Sequence, residues 1–203
     1  MAGVSELIRV RAQQRPDEAA FITGADGRAL SWRALAGQAE QVQRLVGESR
    51  LPAQARMGLV LDDPLAFTVG YLGALAAGLT AVPIDARLTP DELGTAIERL
   101  RVDVVLTDER VAGPELAGPE LWLAEPAGPV PVRGRSSTAW PSAGAAARPA
   151  VLLTSSGTTS TPKGIGLSQW HCCTRRAGSP GTTASVRASV ATTRCRCSMS
   201  MRR

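Results

Sequence analysis

Four short apolar runs constrain this chain more than any other feature. They are "ARMGLVL" at 55–61, "TAVPI" at 80–84, "DVVLTD" at 103–108 and "PAVLLTS" at 149–155. Continuous apolar runs of this length, bounded by turn residues, suit buried strands. Helical patterns lie between and before them. "SELIRVRAQQRP" carries apolar positions at helical spacing and stops at Pro16. Ser31 can cap a helix through "WRALAGQAEQVQRLVGE", whose Leu35, Ala39, Val42 and Leu45 form one stripe. Asp62 and Asp63 suit the positive end of a buried helix that stops at Gly78. Thr89 caps "TPDELGTAIERL". Strands alternating with helices predict an α/β fold of parallel βαβ units. Before them, "AAFIT" and "ALSW" predict a hairpin around Asp26 and Gly27. Residues 111–149 are rich in Gly, Pro and Ala, and predict a loop with one edge strand at "ELWLAE".

A chain of 203 residues allows one ordinary domain or part of a larger one. Aromatic residues make up only 3%, so the core must rest on Ala, Leu and Val. The net charge of +5 is unevenly placed. Residues 172–203 hold seven Arg and no acid, which leaves residues 1–171 mildly acidic and without a nucleic-acid surface. The uncharged run Ala66 to Ile84 approaches the length of a bilayer span. Its Gly, Pro and Thr content favours a buried helix followed by a strand. The N-terminus shows no apolar signal core, so a cytoplasmic protein without a membrane span is expected.

The segment that carries chemistry is "LLTSSGTTSTPKGIGLS", Leu152 to Ser168. A strand delivers Thr154, Ser155, Ser156, Gly157, Thr158, Thr159, Ser160 and Thr161, then Pro162, Lys163 and Gly164. Small residues let backbone N–H groups converge on an anion, and the hydroxyls add donors. Lys163, the only Lys in the chain, supplies a mobile point charge. The loop is not a Walker A motif, because Gly164 rather than Ser or Thr follows Lys163. On composition alone, a polyphosphate cradle and a Ser/Thr-rich surface linker both remain open.

The order of residues in "TSSGTTSTPKGIGLS" closely resembles the phosphate loop of the adenylate-forming (AMP-binding) superfamily. That superfamily includes acyl-CoA synthetases, peptide-synthetase adenylation domains and luciferases. Its loop typically reads Thr-Ser-Gly-Thr-Thr-Gly-x-Pro-Lys-Gly. Ser160 stands where Gly is usual, as in a subset of acyl-CoA synthetases that includes oxalate–CoA ligases. "RPDEAAFITGADGRALSW" and "LAFTVGYLGALAAGLTAVPIDARLTPDELGTAIE" are similar to earlier family segments, so the resemblance covers residues 4–168. It implies ATP-dependent activation of a small carboxylic acid to an acyl-adenylate, then transfer to coenzyme A or another thiol. It also implies ATP and Mg²⁺ as cofactors. Thr154, Ser155, Ser156, Gly157, Thr158, Thr159, Ser160, Lys163 and Gly164 would be the nucleotide-binding residues. No catalytic residue and no protein-borne metal ligand is assigned.

The resemblance further implies an adenine segment, a ribose-binding Asp and a catalytic Lys, none of which this sequence supplies. Residues 1–168 are therefore expected to be the N-terminal part of an AMP-binding domain, inactive alone. Residues 169–203 hold all four Cys, seven Arg and Trp170, but no Leu, Ile, Phe or Tyr, and are expected to be disordered. Encoded in GC-rich codons and read one frame over, "HCCTRR" gives Leu-Leu-His-Ala-Ala, and "CRCSMSMR", with TGT and TCA among its codons, gives Pro-Leu-Phe-His-Val-Asn-Ala. Both resemble family segments, so a frame slip between Gln169 and His171 is expected. The alternative is a short non-catalytic protein with a basic tail that binds a phosphate ligand or a partner.

Overall fold

The computed structural model describes residues 3–49, 51–52, 55–108, 119–133, 149–154 and 164–168. Its elements are α1 (Val4–Gln14), β1 (Ala19–Ile22), β2 (Ala29–Ser31), α2 (Trp32–Glu48), β3 (Arg56–Val60), α3 (Pro64–Ala76), β4 (Thr80–Pro83) and α4 (Pro90–Leu100). They continue with β5 (Val104–Thr107), β6 (Glu120–Glu125), β7 (Gly128–Arg133), β8 (Val151–Thr154) and β9 (Gly164–Leu167).

The expected helices form where their caps predict. Ser31 Oγ accepts from the Ala34 amide, and Asp63 accepts from the Leu65 amide with Pro64 opening α3. Thr89 and Glu92 close a reciprocal capping box on α4, again behind a Pro. Each pairing satisfies donors that the first helical turn leaves without partners. The chain turns out of α3 at Gly78, whose φ of 76° lies in the left-handed region a side chain disfavours. Of the expected α2 stripe, Leu35, Ala39 and Val42 are buried, and Leu45 packs partly against the core.

β1 and β2 form the expected antiparallel hairpin. The other strands make one seven-stranded sheet in the order β7-β6-β5-β3-β4-β8-β9. Its interior pairs, β6 with β5, β5 with β3, β3 with β4 and β4 with β8, are all parallel. The outer pairs, β6 with β7 and β8 with β9, are antiparallel. This is the α/β, βαβ-built fold that the alternating pattern predicts.

Two local expectations are corrected, and one strand goes beyond them. "ELWLAE" is β6, an interior strand rather than an edge, because β7 pairs on its outer side. Two prolines in "GPVPVR" hide that outer strand from a propensity reading, and Pro is tolerated there because an edge strand needs no full ladder. "PAVLLTS" is only partly a buried strand: Val151 is buried, but Leu153 and Thr154 are exposed. "GIGL" is strand β9, although its glycines carry little strand propensity.

The crossover from β3 runs to one neighbour through α3, and the crossover from β4 returns past β3 to β5 through α4. Right-handed crossovers in opposite directions place their helices on opposite faces of the sheet. The core divides accordingly. Met57, Leu59, Leu106 and Trp122 pack on the α2–α3 side, with α1 reached through Val4. Val60, Val82 and Val105 pack on the α4 side against Leu93, Ile97 and Leu100. Gly73 lets α3 lie directly on α2, since a Cβ there would stand 2.7 Å from Val42 Cγ2. Trp122, the largest fully buried side chain among the described residues, gives its Nε1–H to Glu120 at 2.7 Å. Glu120 also accepts from the Ser49 hydroxyl at the end of α2, at 2.6 Å.

The uncharged run from Ala66 spans α3, a turn and β4, and no helix among the described residues is long and apolar enough to cross a membrane. The expected boundary after residue 168 and the tail 169–203 lie outside the described residues.

Candidate functional site

Parallel strands point their carboxyl ends to one edge of the sheet. Ligands of doubly wound folds bind there, where crossovers part to opposite faces. In this chain the connections leaving β3 and β5 part between those two strands, and β8 lies beyond β4 at the same carboxyl edge.

β8 brings the expected loop to that edge. β8 and β9 pair in the register Val151↔Leu167, Leu152↔Gly166, Leu153↔Ile165 and Thr154↔Gly164. Thr154 and Gly164, the first and last of the expected nucleotide-binding residues, therefore face each other across the ladder. Residues 155–163, which include Ser155, Ser156, Gly157, Thr158, Thr159, Ser160 and Lys163, lie outside the described residues. Their point of departure and return is fixed by the ladder on either side.

The root of this hairpin is tied to β4. The Ala81 amide donates to the Ala150 carbonyl at 2.9 Å, and the Thr80 hydroxyl donates to the Pro149 carbonyl at 2.7 Å. The Ala150 amide then donates to the Leu167 carbonyl at 2.7 Å, which joins β9 to the same root. Val151 anchors the strand in the α2–α3 core at 2% exposure. The sequence alone does not single out Thr80. Its only signal is a β-branched hydroxyl opening an otherwise apolar strand.

Two clefts open at this edge. The first, about 470 Å³, runs from Thr154 along α4 and is floored by Pro83, Ile84, Leu88 and Leu100. Asp85 stands at its mouth, where Arg87 holds its carboxyl down to about 2 through side-chain and backbone hydrogen bonds. The second, about 590 Å³, lies at the ends of β3, β5 and β6, among Asp62, Asp63, Asp108 and Glu125. Arg28 reaches into it from the hairpin and binds both Asp63 oxygens, at 2.8 and 3.1 Å. That pairing lowers the Asp63 carboxyl from its usual range, with Arg28 the largest cause. Asp26, held first by the Thr23 hydroxyl and then by Arg28, is lowered to about 2. Arg28 thus locks the β1–β2 hairpin to the N-terminus of α3.

No group of three or more His, Cys, Asp or Glu among the described residues is placed to hold a metal ion. The donor set that fits an anion is in the loop sequence, with its hydroxyls, glycines and single Lys.

Fold and loop together define a doubly wound α/β domain that offers a Ser/Thr/Gly-rich loop at its carboxyl edge. Residues 8–193 match the model of the AMP-binding enzyme family, and the chain belongs to that family. It is similar to bacitracin synthase 1 of Bacillus licheniformis, 27% identical over 166 residues that cover 79% of this chain and 3% of that protein. Among solved structures, IdnL1 superposes with a TM-score of 0.64 at 22% identity, covering 82% of this chain and 34% of its own. The peptide synthetase FmoA3, solved with AMPPNP bound, gives a TM-score of 0.62 at 25% identity, covering 82% of this chain and 17% of its own. The chain thus spans only a small part of the length of the synthetases it matches.

Proposed function

We propose that residues 154–164 are the nucleotide phosphate loop of an acid–thiol ligase of the AMP-binding family. The observation that carries the reading is the Thr154↔Gly164 pairing, which closes the loop at the carboxyl edge of a parallel sheet. Backbone N–H groups and hydroxyls of Thr154, Ser155, Ser156, Gly157, Thr158, Thr159 and Ser160 would hold the polyphosphate, with Gly164 allowing close approach. Lys163 would offset charge on the phosphate oxygens, a charge-assisted contact that strengthens as water is excluded. ATP fits this donor set. Mg²⁺ would enter on the phosphate oxygens, where it neutralises charge.

The family reaction joins a carboxylate to the α-phosphate and passes the acyl group to coenzyme A or to a carrier-bound thiol. The similarity to bacitracin synthase 1 supports a carrier protein as thiol donor. The Ser160 variant of the loop supports coenzyme A. Lys163 is the only Lys of this chain and is already engaged in the loop, so we infer that the 203 residues alone bind nucleotide without completing adenylation.

We also propose that residues 1–168 form the N-terminal part of the domain and that 169–203 are translated out of frame. The family match running to residue 193 weighs against a frame slip, which makes the nucleotide sequence decisive. A closed alternative frame without family-like segments would remove the proposal.

Equilibrium binding of Mg-ATP to the purified chain tests the site. Saturable binding that Lys163→Ala weakens supports it. Absence of binding by a folded chain would overturn it and favour a partner-binding role. ATP–pyrophosphate exchange with any carboxylate would overturn the inference of inactivity.

A further inference from the structure

We propose that Thr80 is a positioning residue for the phosphate loop: its buried hydroxyl holds the loop-bearing strand to the sheet. The inference rests on the reading of 154–164 as that loop.

The attachment of β8 to the sheet is slight. β4 and β8 share one register pair, Ala81↔Val151. Ala81 gives its amide to the Ala150 carbonyl, so that donor is used. The preceding amide, of Thr80, points the other way and donates to the Ala55 carbonyl beside β3 at 3.0 Å. The β4 backbone thus has no amide left at this position for the Pro149 carbonyl. The Thr80 hydroxyl meets it at 2.7 Å, from a residue only 6% exposed. One residue therefore bridges the central strand and the root of the loop-bearing strand, with its amide on one side and its side chain on the other.

Pro149 is fitted from a second direction. A Cβ at Gly166 would stand 3.0 Å from Pro149 Cβ, so the absent side chain leaves room for the ring. Ala150, next to Pro149, carries the amide that joins the root to Leu167. A displacement of Pro149 would thus pass into both strands and shift the points at which the loop leaves and returns. Loops that bind phosphate through backbone N–H groups depend on the aim of those groups, and small misplacements weaken them strongly. A Val at position 80 would keep the shape and burial of the side chain. It would leave a part-buried carbonyl without this donor, a loss that packing does not restore.

The test uses the full chain with Thr80→Val, Thr80→Ser and Gly166→Ala. Amide hydrogen exchange is followed in 149–154 and 164–168, with α4 as the internal reference, and Mg-ATP affinity is measured in parallel. Thr80→Val should speed exchange in the hairpin while α4 is unchanged, and weaken Mg-ATP roughly tenfold. Thr80→Ser should restore both. Gly166→Ala keeps the hydroxyl but presses on Pro149, and should reproduce the exchange effect if Thr80→Val fails to fold. Unchanged hairpin exchange in Thr80→Val, or in Gly166→Ala where that stands in, would overturn the inference. So would faster exchange with unaltered Mg-ATP affinity. Should the unmodified chain bind no Mg-ATP, the phosphate-loop reading fails, and the inference that Thr80 positions a phosphate loop falls with it. The exchange result then still shows whether Thr80 holds the strand.

Discussion

Thr154 and Gly164 face each other as the last pair of the β8–β9 ladder, so residues 155–163 leave and return at a single point of the sheet. Lys163 immediately precedes the returning residue in the sequence. Lys163→Ala should raise the Mg-ATP dissociation constant about tenfold or more, the usual loss for one charge-assisted phosphate contact. The thermal transition should stay in place. Isothermal titration beside circular dichroism separates the two effects. Equal affinity in both proteins would count against a phosphate role for this Lys.

Gly73 permits the close crossing of α2 and α3, because Val42 fills the space that a side chain at this position would need. An added Cβ would meet Val42 Cγ2 at 2.7 Å and Val42 Cβ at 3.0 Å. Gly73→Val should destabilise by about 1–3 kcal/mol, the usual cost of overpacking. Combining it with Val42→Ala should cost less than the sum of the two single changes, because they share one space. Urea unfolding of the four proteins forms the cycle. Strict additivity would show that the helices are not packed through this pair.

Leu59 is fully buried at the centre of β3, between two parallel neighbours. Leu59→Ala should cost about 2–5 kcal/mol through lost transfer energy and a residual cavity. A loss below about 1 kcal/mol in denaturant unfolding would place Leu59 outside the packed core.

The sequence announced some of this fold because its signals are local. Caps at Ser31, Asp63 and Thr89 need only the following turn to act, and each does so. The buried strands read clearly because burial on both faces leaves continuous apolar runs. β7 and β9 were not legible, since prolines and glycines at a sheet edge resemble a turn. The strand that leads into the loop was legible from its apolar run, while residues 155–163 lie outside the described residues. Thr80 and Arg28 were not, because their partners, Pro149 and Asp63, are distant in sequence and only the sheet brings them together. Distant pairs of this kind leave no periodic trace.

The Arg28 clamp sets a pH dependence whose sign follows from its carboxylates. Asp26 is lowered from 3.8 to about 2, and Asp63 is lowered as well. A carboxylate with a depressed folded value contributes stability that is fully present above its unfolded value. That contribution is lost as pH falls through the folded value. For Asp26 the window runs from about pH 4 down to about pH 2. Asp26 is exposed and Asp63 partly so, so the change in global stability should be small. The effect should appear locally, as loosening of the β1–β2 hairpin from α3. Amide protection factors in 19–31 should fall across this window while those in β3 and β5 hold. Asp63→Asn keeps a competent helix cap but removes the charge, and should weaken hairpin protection already at neutral pH. Protection that is unchanged by acid and by Asp63→Asn would mean that Arg28 does not hold the hairpin in solution.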